Sequence, residues 1–115
     1  MKAPSRQASP DPGTTSAELM ESASEAAAEL LKAMANPQRL RVLCLLVERE
    51  MSVGEINALV PLSQSALSQH LAVLREKNLV ATRREAQTVF YSVADGTVHD
   101  VIEVLHRNLC GPVPS

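Results

Sequence analysis

The alternation of apolar and polar residues along the chain predicts four helices, then a β-hairpin, then a fifth helix. Through most of the chain apolar side chains return every three or four residues, as on the buried face of a helix. Two runs, 80–84 and 88–93, are instead rich in β-branched and aromatic residues, which is typical of a hairpin. The predicted helices span about residues 15–35, 37–49, 52–59, 63–77 and 97–110.

Four of the predicted helices begin at a residue whose side chain can accept a hydrogen bond from the unpaired N–H groups of the first turn. Two of these starts are capping boxes, in which Ser or Thr is followed three residues later by Glu. Another is an Asn followed by Pro, a pair that suits the first position of a helix. The starts are Thr15 with Glu18, Asn36 before Pro37, Ser52 with Glu55, and Ser63.

The order of a short helix, a turn containing Pro61, a second helix and a hairpin is that of a winged helix-turn-helix domain. We therefore predict a mainly α-helical fold with a β-hairpin wing. In the fourth helix Leu67, Leu71 and Leu74 share one face, which leaves short polar side chains on the other face. Ser and Gln can hydrogen-bond to base edges and phosphates in a major groove, and arginines neutralise phosphates.

The candidate DNA-binding residues lie on the fourth helix and on the hairpin. They are Ser63, Gln64, Ser65, Ser68, Gln69, His70, Arg75, Arg83, Arg84 and Gln87. The alternative is an ordinary amphipathic helix whose polar face meets only water, or a winged helix that binds a protein. Arginines that follow the polar face favour DNA.

Composition limits the architecture and the location of the chain. Its 115 residues are enough for one domain, and a core with 2% aromatic residues must be aliphatic. We expect disordered tails at 1–14 and 111–115 around a domain at 15–110, since the tails are rich in Pro and small polar residues. No apolar segment resembles a signal peptide or a membrane span, so a cytoplasmic protein without membrane contact is expected.

Charge is distributed unevenly, although the formal net charge is only -2. Residues 63–90 carry four basic and two acidic residues, whereas the charged residues of 14–29 are all Glu. The basic part therefore coincides with the predicted DNA-binding helix and wing. No nucleotide-binding loop, Ser-His-Asp set or catalytic zinc motif is present, so an enzyme is not expected.

Three segments resemble the ArsR/SmtB family of bacterial repressors: 30–40 (LLKAMANPQRL), 62–71 (LSQSALSQHL) and 85–91 (EAQTVFY). The similarity covers about residues 16–110. It implies a transcriptional repressor that binds a palindromic double-stranded DNA operator. It also implies a homodimer joined through the first and last helices, and release of DNA by a chemical signal.

Many members of that family respond to metals. The thiol pair that arsenic, cadmium and lead sensors carry before the recognition helix is missing from 52–56. The last helix offers His99, Asp100, Glu103 and His106, but without the Asp-x-His start and wide His spacing of zinc sensors. No metal or other cofactor is predicted, and a metal-responsive repressor that uses these last-helix residues remains the alternative.

The chain has two cysteines, Cys44 and Cys110. Taken singly, the first suits a small buried apolar residue and the second a position at a frayed helix end. Together, in their sequence contexts, they resemble the persulfide- and redox-responsive branch of the family. That branch implies a disulfide or polysulfide link between the two, induced by reactive sulfur species or oxidant, and a fall in operator affinity. Positive charge at Arg41, His106 and Arg107, one turn before the cysteines, favours the reactive thiolate.

Overall fold

A computed structural model of the chain describes residues 15–110, with the side chain of Cys110 excluded. The predicted tails at 1–14 and 111–115 lie outside the described residues. In the described part the elements are α1 (Ser16–Met34), α2 (Pro37–Glu48), β1 (Met51–Ser52), α3 (Val53–Leu59), α4 (Gln64–Glu76), β2 (Val80–Glu85), β3 (Thr88–Val93) and α5 (Thr97–Leu105). A five-residue π-helical segment, His106–Cys110, continues α5 and is called the π turn below. The predicted winged helix-turn-helix architecture is confirmed.

The helix starts follow the predicted caps. Thr15 Oγ1 accepts a hydrogen bond from the backbone N–H of Glu18 at 3.0 Å, and the Glu18 carboxylate accepts one from the N–H of Thr15 at the same distance. Ser52 and Glu55 repeat this exchange at the start of α3. Asn36 Oδ1 accepts from two backbone N–H groups of the first turn of α2. Local sequence therefore sets these boundaries without help from tertiary contacts.

The predicted hairpin is part of a three-stranded sheet in the described part of the chain. The antiparallel strand order is β1-β3-β2, with Met51 opposite Tyr91 and Val80 opposite Val93. The additional strand, β1, has two residues and runs directly into α3. It ties the connection after α2 to the wing, so the wing is held on both sides of β3 over part of its length.

One aliphatic core supports α4 and the wing. Leu67, Leu71 and Leu74 are buried as predicted, and they share the core with Leu79 and Ile102. Because the recognition helix, the wing and α5 contact the same core, their relative positions are fixed by packing. No helix of the described residues is long and apolar enough to cross a membrane.

Helix α1 contacts this core only near its C-terminal end. Residues 16–29 are exposed, Leu30 is half-buried, and only Ala33 and Met34 of the helix are buried. Arg39 Nε donates a 2.6 Å hydrogen bond to the carbonyl oxygen of Ala33, which satisfies a group at the helix end. Most of a 19-residue helix is therefore without a packing partner in the described chain.

Candidate nucleic-acid interface and thiol groove

Helix α4 presents a polar, exposed face along its first two turns. Its start is fixed by Ser63, whose Oγ accepts a hydrogen bond from the backbone N–H of Ala66 at 3.1 Å. The predicted DNA-binding residues on this face are all exposed: Ser63, Gln64, Ser65, Ser68 and Gln69. Their side chains are short, and the buried leucines on the opposite face hold the helix in one orientation. Such a face can approach the edges of base pairs closely.

Two further predicted residues of α4 differ in exposure. His70 is half-buried, at the border of the apolar face, whereas Arg75 in the last turn is exposed. The turn before α4 is held by Asn57, whose Nδ2 donates a 2.8 Å hydrogen bond to the carbonyl oxygen of Leu62. Sequence reasoning missed Asn57, because a lone polar residue in a short helix gives no signal of this role.

Arg83 of the wing is engaged within the protein. Its Nε and Nη2 donate hydrogen bonds to the two carboxylate oxygens of Glu50, at 3.0 and 2.7 Å. The guanidinium also lies over the Phe90 ring, 4.8 Å from its centroid, and Nη1 is 3.6 Å from Glu85. Hydrogen bonding to Arg83 lowers the pKa of the Glu50 carboxyl from its ordinary value. This pair of hydrogen bonds between one guanidinium and one carboxylate, called the fork below, joins β2 to the segment after α2.

The other two predicted DNA-binding residues of the wing, Arg84 and Gln87, are exposed to solvent. Arg84 follows Arg83 in β2 and therefore points to the opposite face of the sheet. Arg84 and Gln87 are both exposed, the latter at the hairpin tip. These two side chains are better placed than Arg83 to meet a phosphate without first breaking a contact within the protein.

A groove beside Cys44 is lined by residues of α2 and by the first residue of the π turn. It has a volume of about 410 Å³ and is lined by apolar side chains of α2, the Cys44 side chain and three polar groups. We call it the thiol groove; its lining residues are Pro37, Leu40, Arg41, Cys44, Leu45, Glu48 and His106. Cys44 itself is buried, with 9% of its surface exposed.

Two residues that line the thiol groove, one from each of the elements that flank it, contact each other. His106 Nε2 lies 2.7 Å from Glu48 Oε2, within hydrogen-bond distance. The π turn packs against α2, so the backbone of residue 110 belongs to a segment that neighbours the helix of Cys44. Arg41 is exposed and lines the same groove, one helical turn before Cys44.

Comparison with known proteins identifies the family. The model for bacterial regulatory proteins of the arsR family matches residues 36–82. The transcriptional activator HlyU of Vibrio cholerae is 57% identical over 91 residues, which cover 79% of this chain and 84% of HlyU. The chain belongs to the ArsR family. It is a winged-helix DNA-binding transcriptional regulator, and its relatives are named as regulators and not as enzymes.

One other relative and one solved structure are also similar to this ArsR-family chain. The biofilm growth-associated repressor of Agrobacterium fabrum is 44% identical over 93 residues, covering 81% of this chain and 80% of the relative. The solved structure of reduced HlyU from Vibrio cholerae superposes with a TM-score of 0.77 at 55% identity, covering 82% of this chain and 99% of that one. Regulators of this family bind DNA operators.

Of the four last-helix residues that could ligate a metal ion, three lie close together. His99, Asp100 and Glu103 offer ligand atoms within 4.8 Å of one another on the surface of α5. His106 is in contact with Glu48 instead. The set of four is therefore not assembled around one point, and a cluster of this composition on a helix surface is common without an ion.

Proposed function

We propose that this ArsR-family regulator is a homodimeric repressor that binds a palindromic operator and releases it when Cys44 and Cys110 become covalently linked. The observation that carries the proposal is the position of Cys44, in a groove bordered by the segment that ends at residue 110. Reactive sulfur species or an oxidant would be the inducing signal, and the cytoplasm the compartment.

Dimerisation is supported by the exposure of α1. A single helix in water is marginally stable, and most helical stability in proteins comes from packing of an apolar face. On α1 the side chains of Leu19, Met20 and Leu31 are exposed, and near the chain end so are those of Val104 and Leu109. A second copy of the chain would cover these residues. It would also set two α4 helices about 34 Å apart, the spacing of successive major grooves.

Operator binding is attributed to the ten residues predicted from the sequence. The exposed Ser and Gln side chains of α4 would contact base edges, while Arg75 and Arg84 would contact phosphates. Ser63 also caps α4, so its hydroxyl has a structural role beside any contact with DNA. Arg83 would contact DNA only by sharing or exchanging its hydrogen bonds to Glu50.

The chemistry of the switch balances with either of two reagents. The Cys44 thiolate attacks the outer sulfur of an organic persulfide, R–S–SH, and displaces the thiol R–SH, which leaves Cys44–S–SH. The Cys110 thiolate then attacks the Sγ atom of Cys44, which forms the Cys44–Cys110 disulfide and expels the outer sulfur as HS⁻. With hydrogen peroxide, Cys44 becomes a sulfenic acid as one water is released, and Cys110 displaces a second water to give the same disulfide.

Loss of DNA binding would follow from the location of the two cysteines. Cys44 lies in α2, whose buried residues support the core beneath α4, whereas residue 110 ends the segment expected at the dimer interface. A link between them would change the angle between the two DNA-binding heads. Specific and non-specific DNA binding differ by about 4–10 kcal/mol, so misplacing one head in its groove is sufficient to release an operator.

The test combines mass spectrometry with operator binding. Reduced protein treated with an organic persulfide, and separately with peroxide, should lose about 2 Da per chain, the two thiol hydrogens lost in a Cys44–Cys110 disulfide, and should release operator DNA. Single variants Cys44→Ala and Cys110→Ser should stay bound after treatment. The proposal fails if neither reagent links the cysteines, or if a variant without both cysteines still releases DNA on treatment.

The direction of regulation belongs to the proposal too. Of the two named relatives, one is described as a transcriptional activator and the other as a repressor. We assign repression, because a protein bound across a promoter blocks transcription without further contacts. A reporter gene behind the operator should be more active in a strain that lacks the regulator; lower activity there would assign activation.

A metal-responsive repressor is the second candidate, favoured by the proximity of His99, Asp100 and Glu103. Zinc added to a variant without both cysteines would then weaken operator binding, and His99→Ala would abolish the effect. Operator affinity that is unchanged by zinc excludes this candidate.

A further inference from the structure

The contact between Glu48 and His106 joins two parts of the fold that are 58 residues apart in the chain. Glu48 is the last residue of α2, and His106 is the first residue of the π turn. The His106 side chain is 18% exposed and that of Glu48 is 55% exposed. The contact therefore joins a half-buried histidine side chain to an exposed glutamate side chain, and both residues line the thiol groove.

Each residue of this contact is four positions away from one of the two cysteines. Cys44 precedes Glu48 by four residues, which is one turn of α2 on the same face. Residue 110 follows His106 by four residues, within the π turn. The contact therefore lies one helical turn from each cysteine position, on the two elements that a link would join.

The π turn is a segment whose position needs support. π-Helical turns are uncommon, and the single turns that occur within α-helices are frequently found at functional sites. Of the four π-turn side chains that the structure describes, those of Arg107, Asn108 and Leu109 are exposed, so they contribute little apolar packing. The hydrogen bond between His106 and Glu48 adds to the contacts that hold it against α2.

We propose that Glu48 and His106 are positioning residues for the thiol switch: their contact holds the π turn against α2 and raises the effective concentration of the Cys110 thiol at Cys44. This inference rests on the proposed function. It assigns the pair to the second chemical step, in which the two sulfur atoms join. The first step, attack of the Cys44 thiolate on the reagent, does not require the π turn.

The test uses the balanced exchange between the two protein thiols and oxidised dithiothreitol, which gives the protein disulfide and reduced dithiothreitol. The fraction linked at equilibrium measures the effective concentration of one cysteine relative to the other. Glu48→Ala should lower this value at least about fivefold, whereas Glu48→Gln, which can still hydrogen-bond to His106, should remain within about twofold of the wild type. Glu76→Ala, at an exposed carboxylate in α4, is the matched control and should leave it unchanged.

A second measurement separates positioning from a general effect on Cys44 or on the fold. In a Cys110→Ser background, adding Glu48→Ala should change the rate of Cys44 alkylation by iodoacetamide by less than about twofold. In the reduced protein, amide exchange in residues 106–110 should accelerate in Glu48→Ala, while the amides of residues 64–76 should keep their protection.

The outcomes distinguish this inference from the proposed function. A wild-type protein that forms no link with any oxidant overturns the thiol switch itself, and the positioning role with it. A wild-type protein that links normally, together with Glu48→Ala that links as readily as Glu76→Ala, overturns only the positioning role. An alkylation rate of Cys44 that falls as much as the effective concentration overturns it as well, since the pair would then act on the thiol and not on the π turn.

Discussion

At the scale of single residues, the tip of the wing carries an unusual backbone conformation. Ala86 has φ of 57°, a region that residues with a Cβ rarely adopt. The predicted loop of residues 85–87 is in fact tighter, because Glu85 and Thr88 are paired and only two residues make the turn. Hairpins with two-residue turns favour glycine at positions of positive φ. The alanine therefore costs about 1 kcal/mol at the tip of the hairpin.

Ala86→Gly should relieve this strain and stabilise the domain. The gain is about 0.5 kcal/mol, since glycine also increases the conformational entropy of the unfolded chain. Thermal unfolding should then shift upward by roughly 2–4 °C. Ala81→Gly, at an exposed position within β2 where no positive φ is needed, is the control and should lower the midpoint. Equal shifts in both variants contradict the account.

Gln69 and Arg84 should differ in how they contribute to operator binding. Replacing Arg84 with Ala should weaken binding to all sequences and reduce the slope of log affinity against log salt by about one per protomer. Replacing Gln69 with Ala should reduce the preference for the operator by about 1–3 kcal/mol and leave the slope unchanged. Fluorescence anisotropy at several salt concentrations measures both. A salt slope that Arg84→Ala leaves unchanged removes it from the phosphate contacts.

At the scale of secondary structure elements, the segment after α2 holds the wing through Glu50 and Arg83. Since the pKa of Glu50 is lowered in the folded protein, its contribution to stability is present above the ordinary pKa of glutamate and is lost as pH falls through the lowered value. Amide exchange in residues 80–93 should accelerate in that acidic range. Glu50→Gln should show fast exchange at neutral pH and little further change on acidification. A wild-type wing with pH-independent protection contradicts this role.

The elements that sequence could predict are those whose signals are local. Asn36 and Ser63 cap helices through contacts two or three residues away, so the boundaries they set are visible in the sequence. Strand β1 was missed, because two residues show no alternation and Ser52 was already recognised as a cap. The π turn was predicted as the end of a regular helix, because its apolar spacing continues that of α5. The fork between Glu50 and Arg83 spans 33 residues and leaves no pattern in the sequence.

At the scale of the whole molecule, the proposed dimer would cover the exposed apolar side chains of α1. Leu31 is 53% exposed on α1, and Leu59 is 55% exposed on α3, so the two differ in location and not in exposure. Leu31→Asp should shift the protein toward monomers in sedimentation and make its thermal midpoint independent of concentration. Leu59→Asp is the matched control and should remain dimeric. A wild-type protein that sediments as a monomer at micromolar concentration contradicts the proposed assembly.

The end of α2 brings two contacts into immediate proximity. Glu48 meets His106 of the π turn, and Glu50, two residues later, meets Arg83 of the wing. Two residues of backbone span at most about 7 Å, so the Cα atoms of Glu48 and Glu50 stay close to each other. In the proposed thiol switch, a displacement of the π turn that pulls on Glu48 would be transmitted to the wing through this short stretch of backbone. A link between α2 and the π turn would therefore reach the wing by this route, and a change in the tilt of the wing on the duplex is the expected consequence.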